Sequence, residues 1–313
     1  MTLATFDSWT RRLFIIVSAL DSVVERFTAH VLGAAARGEA LDAHALILLT
    51  RVYAATARPD VAEALGRGLE GLLETAGEPA GPSARALQLI ALAEASRVTD
   101  DPRVAACAGV LAADLRRRRP DVVADAALSV QACLQAGDVV ASPTLVSESV
   151  DDLEAIVSGA YRPGEGLTHT WRGPIDPRGR LDDVVRLASA LLVAYDVSSR
   201  LPYSMLAEEL IQHARRAFRD RAGGGLVSSV ATPARTLFEL NCEAARVFGR
   251  LAALRADPAY RQEAIVAPEA DYLMDAQQTL ESQAGASEEL GAAGAMFAVA
   301  ALEIADRRFQ IAD

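Results

Sequence analysis

Residues 166–173 read G-L-T-H-T-W-R-G, 180–196 R-L-D-D-V-V-R-L-A-S-A-L-L-V-A-Y-D, 201–220 L-P-Y-S-M-L-A-E-E-L-I-Q-H-A-R-R-A-F-R-D, and 238–254 F-E-L-N-C-E-A-A-R-V-F-G-R-L-A-A-L. In the last three segments apolar residues recur at i, i+3, i+4 and i+7, the period of one helical face. A G-G-G run at 223–225 separates the third from the fourth, and glycine clusters break helices. The local unit is therefore helix, tight link, helix, glycine elbow, helix.

The rest of the chain repeats that unit. Pro59, Pro102, Pro143, Pro202 and Pro258 each stand between two periodic segments, 41 to 59 residues apart. Proline is at home in the first helical turn, where its missing N–H would lack a partner anyway, so each proline marks a helix start. One such start per 40 to 60 residues describes repeated helical hairpins.

Twelve helices are expected, over 5–37, 41–57, 59–76, 83–99, 102–118, 121–136, 144–159, 181–198, 202–220, 236–255, 258–283 and 287–307. Six hairpins are the number that closes an all-α (α/α)6 toroid, here one domain over 1–313. The eighth and twelfth segments are apolar or small nearly all round, which assigns the even helices to a buried inner ring. The odd helices carry charge on one side and fit an outer ring. Links from odd to even helices include 78–82, 161–180 and 221–235. Long loops in a compact domain usually serve function, so the pocket is expected at the N-terminal ends of the inner helices.

All 31 basic residues are arginine. Without lysine there is no Schiff base, no P-loop lysine and no kinase-type lysine. A net charge of −11 argues against nucleic acid as a partner, because phosphate neutralisation needs a basic face. The basic run Arg116 to Arg119 precedes Pro120, where it suits the negative end of a helix dipole. Cys107, Cys133 and Cys242 are scattered without a C-x-x-C, as expected of reduced core thiols in a cytoplasmic protein. The apolar run Leu13 to Leu20 is too short to span a membrane. No metal or other cofactor is expected, since the histidines and cysteines are too dispersed for a closed site.

The candidate chemistry gathers at the end with the long links. His169 and Trp171, two apart in the 161–180 link, would point the same way in an extended segment, pairing a proton-transfer group with an indole for a sugar face; Arg172 follows them. Asp182 and Asp183 open the eighth helix, where they can cap it or aim carboxylates into the mouth. Glu239 and Glu243 lie one turn apart on the tenth helix around Asn241, so the two carboxylates share a face and can serve as acid and base. Salt bridges to Arg235 and Arg246 are the plainer alternative. His44 and Asp125 complete the ring, as catalytic and substrate-holding candidates respectively. His30 and His213 fall on odd helices and read as surface residues.

Residues 164–264 resemble the C-terminal helical part of the YyaL or spermatogenesis-associated protein 20 family. The runs that carry the likeness are G-L-T-H-T-W-R-G, L-D-D-V-V-R-L-A-S-A-L-L, Y-S-M-L-A-E-E-L and N-C-E-A-A-R-V-F-G-R-L-A-A-L-R-A-D-P-A-Y-R. The resemblance implies a six-hairpin toroid related to N-acylglucosamine 2-epimerase. The family's thioredoxin-like part is missing here, and Asn241 is kept without the P-S-G approach that precedes it elsewhere. A small-molecule partner, a carbohydrate, is thereby expected, and the reaction is a sugar epimerisation or isomerisation or a glycoside hydrolysis. A non-catalytic toroid that binds a ligand or glycan is the alternative. A terpene-cyclase-like toroid ranks third, because D-x-D-D and D-D-x-x-D are both absent.

Overall fold

The computed structural model describes residues 8–140, 142–173, 180–264, 267 and 269–312. Fourteen α-helices are described: α1 Ser8–Ala36, α2 Ala43–Thr56, α3 Pro59–Thr75, α4 Pro82–Ala95, α5 Pro102–Arg118, α6 Val123–Gln135, α7 Leu145–Ala160, α8 Leu181–Ser198, α9 Leu201–Ala217, α10 Ala234–Ala256, α11 Pro258–Glu263, α12 Tyr272–Glu281, α13 Ala284–Leu290 and α14 Ala295–Ala312. A two-residue ribbon, β1 (Tyr161–Arg162) with β2 (Gly166–Leu167), lies in the α7–α8 link.

Six helices form a closed inner ring, with α2 against α4, α4 against α6, α6 against α8, α8 against α10, α10 against α14, and α14 back against α2. Outside them α3 packs on α2, α5 on α4, α7 on α6, α9 on α8, α12 on α10 and α1 on α14. The fold is an all-α toroid of helical hairpins, as the repeat of periodic segments predicts. Burial follows from composition. In α8 every residue from Val184 to Ala194 is buried, whereas α3 buries only the stripe Val61, Ala64, Leu65, Leu69 and Leu72. An all-round apolar helix needs neighbours on every side, and a striped one needs a single apolar face to rest on.

Two of the tight links share one device. Helices α2 and α8 end on Ala57 and Ser199 in the left-handed region, each returning its N–H to the carbonyl four residues back. Proline then stands in the first turn of the next helix, α3 or α9. Such a cap satisfies an orphan carbonyl and turns the chain at once.

Two of the expected helices are interrupted. The eleventh, 258–283, is divided into α11 and α12, because Asp271 accepts from Met274 N and starts a new helix; part of the interruption lies outside the described residues. The twelfth, 287–307, is broken by a 3-10 turn at Gly291–Gly294 and continues as α14. Among the described residues no helix is long and apolar enough to cross a membrane.

Candidate functional site

A slot of about 10 Å³ runs along the toroid axis, lined by one face of each inner helix, among them His44, Gln131, Arg186, Glu243 and Met296. That volume is about the room one water needs. His44, in the first turn of α2, is buried. Burial pulls its imidazole below the usual range, helped by Arg186 and Arg246 and opposed by Asp42 and Glu239. The ring is therefore neutral at neutral pH.

In the same slot, Glu243 on α10 pairs through Oε2 with Arg186 of α8. Its other oxygen, Oε1, is buried without a hydrogen-bond partner among the described residues. An unpartnered carboxylate oxygen costs on the order of 1–3 kcal/mol or more, so its retention points to something it accepts from.

Of the carboxylates expected at this end, only Glu243 lines the slot among the described residues, and the others are engaged with neighbouring side chains. Asp125 accepts from Ser83, joining α6 to α4. Glu239, one turn before Glu243, pairs with Arg235 at 3.0 Å, and Arg235 reaches Asp42 at 2.9 Å, tying α10 to the start of α2. Asp182 lies one turn before Arg186 and so shares its axial face.

Asp183, one position on, points toward α6 instead. It is 1% exposed, and Oδ1 accepts from Ala124 N at 3.1 Å, capping a helix whose own N-cap, Val122, has no capping side chain. Its Oδ2 lies 3.0 Å from His169 Nδ1, and Arg180 NH1 lies 2.9 Å from His169 Nε2. A guanidinium only donates, so Nε2 is the acceptor and Nδ1 carries the proton given to Asp183. Although His169, Asp182 and Asp183 bring donor atoms within 4.8 Å of one another, Arg180 donates to both His169 and Asp182. The cation of that cluster is therefore a guanidinium. His169 and Asp183 form a brace between α6 and α8, a correction to their expected place on an open wall.

Burial, aided by Asp182, pushes the Asp183 carboxyl up to about 7 against the hydrogen bonds from His169 and Ala124. A carboxyl raised in the folded state binds a proton that the unfolded chain releases near pH 4. Its contribution to stability is present below that pH and is lost as pH rises to about 7. Thermal melts of the protein and of Asp183→Asn should show the parent losing ground to the variant between pH 5 and pH 8. A difference in melting temperature that stays constant with pH contradicts this.

Three further expected residues sit elsewhere. Trp171 donates from Nε1 to Pro120 O at 2.8 Å and packs into a gap between α5, α6 and α7. Arg119 ends α5 in the left-handed region, so the carbonyl beyond it has left the helical ladder, and the indole N–H satisfies it. Arg172 stacks on that indole at 3.8 Å. Asn241 is buried, accepting from Leu226 N and donating to Leu226 O and Leu237 O. It pins the α9–α10 link, where Gly225 is required because an added Cβ would lie 2.6 Å from Ser282 Oγ and 3.1 Å from Asn241 Oδ1. Trp171, Arg172 and Asn241 thus hold loops to the ring and line no part of the axial slot.

Sequence reasoning missed Arg186 and Arg180. An arginine in the all-apolar run of α8 is the signal for the first, since a buried guanidinium needs a buried anion.

Cavity space is not confined to the end with the long links. At the C-terminal ends of the inner helices lies a bowl of about 1070 Å³ with Arg51, Arg246, Arg250 and Glu303 among its lining. Here Arg51 pairs with Glu94 and Glu303, both at 2.6 Å, while Arg246 pairs with Glu303 at 2.7 Å and Arg250 with Asp196 at 2.6 Å. Arg246 and Arg51 hold the Glu303 carboxyl far below its ordinary range despite burial. The network is occupied in closing the ring.

No protein-family model matches the chain, and no curated protein matches it. Solved structures do. An unsaturated glucuronyl hydrolase variant from Streptococcus agalactiae has a TM-score of 0.66 at 10% identity, covering 92% of this chain and 91% of that one. An α-1,6-mannanase variant from Salegentibacter sp. has a TM-score of 0.61 at 13% identity, covering 92% and 99%. A D-mannose isomerase has a TM-score of 0.57 at 15% identity, covering 75% and 73%. These chains share its toroid fold.

Proposed function

We propose that the protein is an acid–base enzyme acting on sugars at the N-terminal end of the inner ring, with hydrolysis of a glycosidic bond as the first reading. The observation that carries it is the presence, in one slot, of the neutral His44 and Glu243, whose Oε1 lacks a partner among the described residues. An imidazole and a carboxylate lining one cavity are the usual equipment of proton transfer. In this reading Glu243, held in place by Arg186, takes a proton from an attacking water, and His44 orients that water. Asp125, Asp182 and Glu239 at the mouth hold sugar hydroxyls, and one of them supplies the proton for the leaving oxygen.

Analogy supports the substrate class. The proteins similar in fold are described as acting on sugars, and the mannanase variant with two consecutive aspartates changed to asparagine is inactive. Asp182 and Asp183 are consecutive at the start of α8 here, with Asp183 turned to cap α6. The likeness of residues 164–264 to the YyaL family is consistent with the same toroid group. Fold alone does not supply a reaction.

Isomerisation is the second reading, favoured by the neutral His44 as a base. It ranks lower because His169, the other candidate histidine, is engaged with Asp183 and Arg180. Incubating the protein with neutral mono- and oligosaccharides separates the readings. New reducing ends support hydrolysis, aldose–ketose interconversion or C2 inversion supports isomerisation, and binding without turnover supports a glycan-binding toroid. If no sugar is bound or converted, the carbohydrate reading is wrong.

A further inference from the structure

Glu243 is not the only residue of the axial slot with an oxygen left over. Gln131 and Gln135 of α6 also line it, and the side-chain oxygen of each is buried without a hydrogen-bond partner among the described residues, as Glu243 Oε1 is. Gln131 is 2% exposed and Glu243 1%. Three acceptor oxygens, one of them on a carboxylate, thus belong to the wall of a single cavity of about 10 Å³. Buried acceptors are nearly always satisfied, by protein or by ordered water.

The wall itself selects what satisfies these three. Acceptors call for a molecule with at least two donors. The volume admits one water-sized molecule and nothing larger. Charge calls for a neutral one, because every charged side chain in the lining is already paired: Glu243 with Arg186, Glu94 with Arg51, and Arg246 with Glu303. A free cation there would face two guanidiniums. Those guanidiniums in turn carry five N–H groups each, enough to serve the lone pairs of a water as well as the carboxylates.

We propose that the axial slot is a binding site for one structural water, which donates to Glu243 Oε1 and Gln131 Oε1 and accepts from Arg186. Gln135, one turn beyond Gln131 on α6, is the third acceptor. In the ring α6 and α10 are separated by α8, so the water joins two inner helices that are not neighbours. Gln131 is then a positioning residue that acts through the water it holds. The reaction proposed above, if it takes place in this slot, draws on that water, but the site belongs to the resting protein and does not depend on the reaction.

The sugar-free protein provides the test. A crystal structure at atomic resolution is expected to show one water peak about 2.5–3.0 Å from both Glu243 Oε1 and Gln131 Oε1. A slot without a peak, in which the Gln131 amide nitrogen or a protonated Glu243 bridges the two side chains directly, overturns the proposal. In solution, oxygen-17 magnetic relaxation dispersion counts long-lived waters. Gln131→Met keeps the length of the side chain without its amide and is expected to hold one such water fewer than the parent; an equal count overturns the bridge. If this variant does not fold, the crystal structure of the parent still decides. Thermal melts in sodium, potassium and choline chloride at equal ionic strength are expected to coincide. A rise in melting temperature specific to sodium or potassium would assign the slot to a cation and overturn the water.

Discussion

Glu243→Gln is expected to lower turnover by about 10²- to 10⁴-fold, the range over which a positioned acid–base group contributes. Glutamine keeps the shape of the side chain and still offers Arg186 a carbonyl oxygen, but it cannot take a proton. Because the lost interaction belongs to the transition state, kcat and kcat/KM should fall together while KM changes little. Steady-state kinetics on whichever sugar the screen identifies provide the measurement. Turnover within threefold of the parent removes Glu243 from the mechanism.

Arg186→Leu should be the most destabilising single change at this end of the ring. It leaves the Glu243 carboxylate, 1% exposed, in the interior without its counter-charge, and breaking a buried pair in this way costs about 3–5 kcal/mol. For a chain of this size that corresponds to a fall in melting temperature of roughly 5–8 °C. Replacing both partners, Arg186→Leu with Glu243→Leu, removes the stranded charge and should recover most of the loss. Calorimetry on the three proteins decides the matter. A single variant that melts within a degree of the parent shows that the pair is not what holds α8 to α10.

What could be read from the residues alone divides by distance along the chain. The ring was legible because its causes are local, with apolar runs such as 184–194 and prolines in the first turns of α3, α5 and α9. His44 and Glu243 were legible for the same reason, since inner-helix position brings both to the slot, whereas Asp125 and Glu239, also on inner helices, are claimed by Ser83 and Arg235. Trp171 was not, because its destination depends on a carbonyl 51 residues away. Neither was the role of Asp183, which caps α6 at Ala124, 59 residues earlier. Spacing gives the facing of a side chain, but the partner that claims it is fixed only when the ring closes.

That closure has a kinetic side. Arg51 and Glu303, 252 residues apart, join the first inner helix to the last, and α14 also packs against α1. While the chain is being synthesised, α2 to α10 can stack hairpin by hairpin, but the arc they build has two apolar edges until α14 emerges. Loop-closure entropy for that seam must be met late and all at once. The growing arc is then the aggregation-prone species, and release of the last helix, not formation of the first hairpins, sets when the protein becomes safe from its neighbours.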